Sequence, residues 1–172
     1  MFRSVHFFML LLLCSIDSFP GRCDSLLLSS TSFTFTLMPR RHRAREVALQ
    51  VLFQDDLNLG IDPHVGEAFI RRRLRWPELA ELASSLVAGV RLHRLKLDQL
   101  LEHTADNWSL RRMAATDRNV LRLGAYEILY SETPNRVAIN EAVELAKRFG
   151  AAQSGQFVNG ILDRFLAQRK EE

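Results

Sequence analysis

The chain has 172 residues, 47% of them hydrophobic, and a formal net charge of +3. That is enough apolar material for one globular domain with a substantial core. Five prolines and eight glycines are too few for a collagen-like or low-complexity chain. Both cysteines, Cys14 and Cys23, lie in residues 1–37, so the rest of the chain cannot hold a disulfide, a cysteine nucleophile or a cysteine-based metal site. This distribution favours a reducing, cytoplasmic environment.

Residues 1–37 differ in character from everything that follows them. Arg3 precedes an apolar run, Val5–Cys14, that is too short to span a bilayer, which needs about 20 residues. A positive charge followed by such a run is typical of a secretory signal peptide. The alternative is a start codon assigned too early, with Met38 as the functional start. We therefore predict an N-terminal extension, residues 1–37, and one domain, residues 38–172.

From residue 38 onward the apolar spacing predicts helices and no strand. The first helix carries Ala44 and Val51 on its apolar face and ends near Gly60. The second begins at Asp62–Pro63, because an N-cap residue followed by proline at the first helical position is a typical helix start. It ends before Trp76–Pro77, since the residue ahead of a proline disfavours helix.

Five further helical segments complete the predicted fold. They cover residues 77–103, 109–113, 116–131, 137–149 and 154–168. Thr116 and Asp117 predict a helix N-terminus, and Gly150 predicts a left-handed C′ residue. Gly160 lies inside the last helix, where glycine costs about 1 kcal/mol, and it predicts a close helix approach. The fold class is all-α, with seven helices in two packed sub-bundles.

An arginine cluster marks the start of the first predicted helix. Its basic members are Arg40, Arg41, His42, Arg43 and Arg45. Cations at a helix N-terminus face the positive end of the macrodipole, which costs a few tenths to ~1 kcal/mol each. Fold stability therefore does not explain the cluster, whereas contacts to phosphate would. The alternative interpretation is a solvated, charged terminus.

Two other charge patterns have simpler structural interpretations. Arg71–Arg75 ends the second predicted helix, where cations are favourable. Glu144 and Arg148 are spaced i,i+4 and predict an ion pair that braces their own helix.

Signals of catalysis and of metal or cofactor binding are weak. Residues 38–172 lack a His-Glu-x-x-His motif and a Gly-x-Ser-x-Gly elbow. Gly150 and Gly155 have the spacing of a phosphate loop, but Gln156 and Phe157 stand where lysine and a hydroxyl residue are needed. We therefore predict a binding protein without a catalytic site, metal or cofactor.

Four segments of the domain resemble the NusB family of transcription antitermination factors. The segments are Arg43–Phe53, Asp117–Leu129, Val137–Gly150 and Phe157–Asp163. The resemblance covers residues 38 to about 170. It implies two packed three-helix bundles with an additional helix. The implied function is to bind the boxA element of nascent ribosomal RNA leaders as single-stranded RNA, together with NusE, a ribosomal small-subunit protein. The resemblance also implies membership of an RNA polymerase antitermination complex, support of rRNA maturation, and no membrane partner.

The resemblance also implies roles for individual residues. The RNA-binding positions would be Arg40, Arg41, Arg43 and Arg45 in the arginine-rich segment, with Gln153, Gln156 and Phe157 at the turn into the last helix. Asp117 would face NusE, and Glu127 would support that surface. Gln156 stands where other members have lysine, which weakens a phosphate contact.

Two alternatives belong to other functional classes. The same fold forms the RNA-binding N-terminal domain of rRNA cytosine methyltransferases, so the chain could be a truncated enzyme. The apolar N-terminal run could instead make it a secreted or membrane-tethered helical interaction module.

Overall fold

The computed structural model describes residues 33–58, 60, 62–105 and 109–169, with side chains from Arg40 onward. These residues form six α-helices and one 3-10 turn, and none of them lies in a strand. The helices are α1 (Phe33–Leu57), α2 (Pro63–Arg73), α3 (Pro77–Thr104), α4 (Ala115–Tyr130), α5 (Asn135–Phe149) and α6 (Ser154–Gln168). The all-α prediction is confirmed. The signal-like run at residues 5–14 lies outside the described residues, and the predicted domain boundary at Met38 stays a prediction.

The count of seven α-helices is wrong, because the segment predicted at 109–113 is a 3-10 turn, Leu110–Arg112. So short a segment cannot repay the cost of nucleating an α-helix, and a 3-10 turn is its usual form.

Local signals placed most helix ends correctly. The Asp62 side chain accepts a hydrogen bond from the backbone N–H of His64 at 2.9 Å and caps α2, with Pro63 as its first residue. Gly60 has φ of 94°, a conformation that favours glycine. The start of α4 differs from its prediction: Ala114 is the N-cap and makes no side-chain cap, so Thr116 lies inside the helix.

The helices pack in two groups of three. In the first group α1 lies against α2 and α3, and in the second α4, α5 and α6 pack against one another. The groups join where α4 contacts α1 and α3. Both α1 and α4 are therefore enclosed: residues 44–52 of α1 and residues 119–125 of α4 are buried without a break.

Two glycines differ from their predicted roles. Gly150 ends α5 with φ of −95° and ψ of −169°, which is extended backbone rather than the left-handed region. Its requirement is space, because a Cβ there would lie 2.5 Å from Ser154 Oγ and 2.7 Å from the carbonyl oxygen of Ala146. At Gly160 a Cβ would meet no atom within 4 Å, so this glycine serves no close helix approach.

Asp56 anchors the C-terminal part of α1 to the rest of the fold. Its carboxylate binds Arg94 of α3 at 2.7 Å, Arg122 of α4 at 3.0 Å, and also Arg118 of α4. Burial opposes ionisation, but the hydrogen bonds from Arg118 and Arg122 hold the pKa of Asp56 below its usual value. The arginine segment lies in the N-terminal half of α1, away from this network, and has other partners.

Candidate nucleic-acid interface

The arginine segment lies within α1 and not at its first turn. Because α1 begins at Phe33, Arg40 and its neighbours lie beyond the reach of the macrodipole's positive end, which acts within the first turn. The predicted dipole penalty is therefore wrong. Arg40 and Arg41 are exposed, and neither forms an ion pair with a carboxylate among the described residues.

Glu46 organises the next turn of α1. Its carboxylate is buried and binds Arg43 at 2.7 Å, His42 at 3.4 Å, and Arg148 from the last turn of α5. Burial alone would raise the pKa of Glu46, but the hydrogen bonds from His42 and Arg43 hold it below its usual value. One buried carboxylate thus gathers three basic side chains at the contact between α1 and α5.

His42 carries a positive charge in this cluster. Its Nδ1 lies 2.7 Å from a carboxylate oxygen of Glu141 on α5. The hydrogen bond to Glu141, followed by that to Glu46, raises the pKa of His42 to about 9. At neutral pH the ring is therefore protonated, and the cluster of Arg43, His42 and Arg148 on Glu46 and Glu141 keeps a net positive charge.

Arg148 connects the arginine segment to the turn between α5 and α6. Its guanidinium binds Glu46 of α1 while its side chain stays 48% exposed, and the turn begins two residues later at Gly150. Gln153 and Gln156 are exposed there and Phe157 is half-buried. The Ser154 hydroxyl accepts a hydrogen bond from the N–H of Ala151 at 2.9 Å and holds the turn closed. The Arg148–Glu46 contact therefore ties the end of α5, two residues before this turn, to the helix that carries the arginine segment.

Comparison with known proteins assigns this arrangement to a family. The sequence model of the NusB family matches residues 42–167. The chain belongs to the NusB family. It is 47% identical over 126 residues to the transcription antitermination protein NusB of Anaeromyxobacter dehalogenans (strain 2CP-1 / ATCC BAA-258), covering 73% of this chain and 89% of the relative. It is 45% identical over 132 residues to that of Myxococcus xanthus (strain DK1622), covering 74% and 94%.

Solved NusB structures share the fold. NusB from T. maritima matches with a TM-score of 0.67 at 36% identity, over 74% of this chain and 91% of that one. A chain from a crystal structure of the antitermination factors NusB and NusE in complex with dsRNA matches with a TM-score of 0.68 at 27% identity, over 76% and 98%.

The predicted RNA-binding residues of this NusB-family chain differ in how exposed they are. Arg40, Arg41, Gln153 and Gln156 are exposed, and Arg43 is 26% exposed. Arg45 is 3% exposed, and its guanidinium lies against the carboxylate of Glu127 with nitrogen–oxygen distances of 2.7–3.1 Å. Its guanidinium therefore lies beneath the surface that the other arginines form.

Asp117, predicted to face NusE, and Glu127, predicted to support that surface, lie apart on α4. Glu127 is 2% exposed and also accepts a hydrogen bond from the Thr133 hydroxyl at 3.2 Å. Asp117 lies in the first turn of the same helix, about 15 Å away at 1.5 Å per residue. One oxygen of the Asp117 carboxylate is buried and has no hydrogen-bond partner among the described residues. Asp117 is partly exposed, whereas Glu127 is enclosed.

Sequence reasoning missed Glu46, Glu141 and Arg148. The spacing of Glu46, three residues after Arg43 and four after His42, is a local signal that could have identified it. The predicted pair Glu144–Arg148 is wrong, since Glu144 binds Lys147 at 2.7 Å and Arg148 reaches Glu46 instead. No local pattern encodes that contact, because its partners are 102 residues apart.

The described part of the chain holds no group of three or more metal-ligating side chains. Within that same part, no helix is long and apolar enough to cross a membrane.

Proposed function

We propose that this NusB-family protein is a non-catalytic antitermination factor that binds boxA-type RNA of ribosomal RNA leaders jointly with NusE, in the cytoplasm. The carrying observation is the exposure of Arg40 and Arg41, neither of which pairs with a carboxylate among the described residues, on the helix that the Glu46–Arg148 contact ties to the end of α5. The names of the relatives and the complex of NusB, NusE and RNA support the assignment. The protein would act by holding RNA and partner, not by chemistry.

The positive side chains would bind the RNA backbone. Guanidinium groups donate paired hydrogen bonds to phosphate oxygens and release counterions on binding. Within the described residues no carboxylate holds Arg40 or Arg41, although Arg40 lies over the ring of Trp76. Arg43 is available only in part, since one of its nitrogens is held by Glu46. The buried pair of Arg45 and Glu127 would keep α1 seated on α4 and so present these groups.

The turn into α6 would read the bases. Gln153 and Gln156 offer amide donors and acceptors, and the half-buried ring of Phe157 offers a stacking surface. Single-stranded RNA is recognised in this way, by splayed bases against aromatic rings and polar groups. Gln156 carries no charge, so it would contribute hydrogen bonds rather than phosphate neutralisation.

Asp117 would contribute to the NusE surface. Asp117 is partly exposed in the first turn of α4, so the accessible part of its carboxylate would accept a hydrogen bond from a donor of NusE. Glu127 would act only indirectly, through Arg45 and the packing of α4.

The deciding experiment is a binding titration of the full chain with a fluorescently labelled boxA-type RNA, with and without NusE. We expect tighter binding with NusE present than for either protein alone. A double-stranded competitor of the same sequence tests the preference for single strands. An affinity that NusE leaves unchanged would contradict the joint-binding proposal.

A further inference from the structure

Trp76 is the most exposed aromatic residue among those whose side chains the structure describes. It is the N-cap of α3, 54% exposed, and its side chain makes no capping hydrogen bond. Serine, threonine, aspartate and asparagine stabilise an N-cap, whereas tryptophan does not. Exposing so large an apolar ring is also unfavourable in water. The ring is therefore available for a partner.

The ring of Trp76 is held by the arginine segment itself. The guanidinium carbon of Arg40 lies 4.7 Å from the ring centroid, within the range of a cation–π interaction. This contact makes the N-terminal part of α1 continuous with the connection between α2 and α3.

Further cations lie in the last turn of α2 and in the connection that follows it. Arg71, Arg72 and Arg75 are exposed, and within the described residues none of them forms an ion pair. Arg72 and Arg73 lie over the ring of Phe69, at 6.0 Å and 5.3 Å from its centroid. The helix dipole accounts for cations in the last turn of α2, but not for Arg75 beyond the helix end or for an exposed tryptophan beside it.

An open groove runs between the end of α2 and the start of α3. Its charged lining residues are Arg71, Arg75, Glu67 and Glu81, and the rest of the lining is Leu74, Pro77, Ala80 and Ser84. Neither carboxylate pairs with these arginines in the part of the chain that the structure describes. The guanidinium groups thus remain available to phosphate, with an aromatic ring beside them.

From this geometry we infer that Trp76 and the arginines at 71, 72 and 75 form an extension of the RNA site, in which a base flanking the boxA-type core stacks on Trp76. The inference rests on the proposed function. Cations along a backbone track with an aromatic ring on which a base can stack are the features of single-strand binding surfaces. The track would run from the turn at Gly150, past Arg148 and Arg41, to Arg40 and Trp76.

The test compares RNAs of different length. The full chain is titrated with a boxA-type core RNA and with the same RNA extended by about six unpaired adenosines at either end, at one salt concentration. We expect one extended RNA to bind about tenfold more tightly than the core, a gain typical of stacking on an aromatic ring. Trp76→Ala should abolish that gain, and Trp76→Phe should retain most of it.

Arg169→Ala is the matched charge control, because Arg169 is exposed at the far end of α6 from the turn. It should leave both affinities unchanged. Equal wild-type affinities for core and extended RNAs would overturn the inference and leave the proposed function standing. So would a gain that survives in Trp76→Ala or is lost in Trp76→Phe. Failure of the wild-type protein to bind any of the RNAs, with or without NusE, would overturn both.

A second readout observes Trp76 directly. In a Trp108→Phe variant, Trp76 is the remaining tryptophan, so quenching of its fluorescence by the extended RNA reports stacking. We expect quenching by the extended RNA and less by the core. A fluorescence change on adding NusE alone, with none on adding RNA, would assign the surface to protein docking and overturn the inference.

Discussion

Arg45 of α1 and Glu127 of α4 form a buried ion pair, with Arg45 Nη2 2.7 Å from Glu127 Oε1 and Arg45 Nε 2.9 Å from Glu127 Oε2. The two side chains are 3% and 2% exposed. The pair joins the helix that carries the arginine segment to the central helix of the other group. Arg45, although it belongs to the basic segment, therefore holds α1 against α4 and is not part of the exposed surface.

Removing one partner of this pair should destabilise the protein strongly. Arg45→Ala leaves the Glu127 carboxylate buried and unpaired, which costs about 3–5 kcal/mol. The double variant Arg45→Met with Glu127→Leu should recover most of that loss, because it removes both charges and keeps the volume. Urea denaturation measures both values. If Arg45→Ala lost less than about 0.5 kcal/mol of unfolding free energy, the side chain would be solvent-exposed and available to RNA, contrary to this assignment.

The exposed arginines should behave in the opposite way. Arg40→Ala with Arg41→Ala removes two phosphate contacts, so RNA affinity should fall and the slope of log K against log salt should flatten by about 1.4 for single-stranded RNA. The free energy of unfolding should stay within about 0.5 kcal/mol, as for most surface substitutions. Titrations at several salt concentrations give the slope, with Arg169→Ala as the control. An unchanged slope of log K against log salt would show that neither residue contacts phosphate.

His42 should make stability depend on pH in the alkaline range. Its pKa rises on folding from 6.5 to about 9 through its hydrogen bonds to Glu141 and Glu46. The folded state holds the proton more tightly, so this stabilisation is fully present below pH 6.5 and is lost as the pH rises through about 9. Denaturation between these pH values should show a decline that His42→Gln flattens. His64→Gln, at an exposed histidine of α2, should keep the wild-type decline; an equal flattening there would contradict the assignment.

Asp117 should separate partner binding from RNA binding. Asp117→Asn removes the charge that we propose NusE satisfies, so NusE affinity should fall about tenfold or more. RNA affinity without NusE should not change. The free energy of unfolding should shift by less than about 1 kcal/mol, because a favourable helix-dipole term and the cost of an unpaired buried oxygen offset each other. Calorimetry with NusE measures the change in NusE affinity. Asp163→Asn, at an exposed position of α6, is the control. If Asp117→Asn weakened RNA binding but left NusE affinity unchanged, the assignment of Asp117 to the NusE surface would be contradicted.

The parts of the fold that are local in sequence were predictable, and the parts that depend on distant contacts were not. Asp62 and Pro63 predict the start of α2, because the capping oxygen of aspartate and the fixed φ of proline act within a few residues. Arg45 looks like its basic neighbours, and its burial follows from Glu127, 82 residues away. Arg148 likewise finds Glu46 across the fold. The resemblance predicts the same role for all four arginines of the segment, but only packing shows that Arg45 is buried while Arg40 and Arg41 are exposed.

Two glycines in packed helices should respond in opposite directions to the same substitution. Gly160→Ala should stabilise the protein by about 1 kcal/mol, because alanine is the better helix former and its Cβ would meet no atom within 4 Å. Gly124→Ala should destabilise it by about 1–3 kcal/mol, because the added Cβ would lie 2.7 Å from Leu162 Cδ1 and 3.2 Å from Ala142 Cβ, where α4 packs on α5 and α6. Thermal and urea denaturation of the two variants against wild type measure the difference. Destabilisation by Gly160→Ala would mean that α6 meets a neighbour at this position after all.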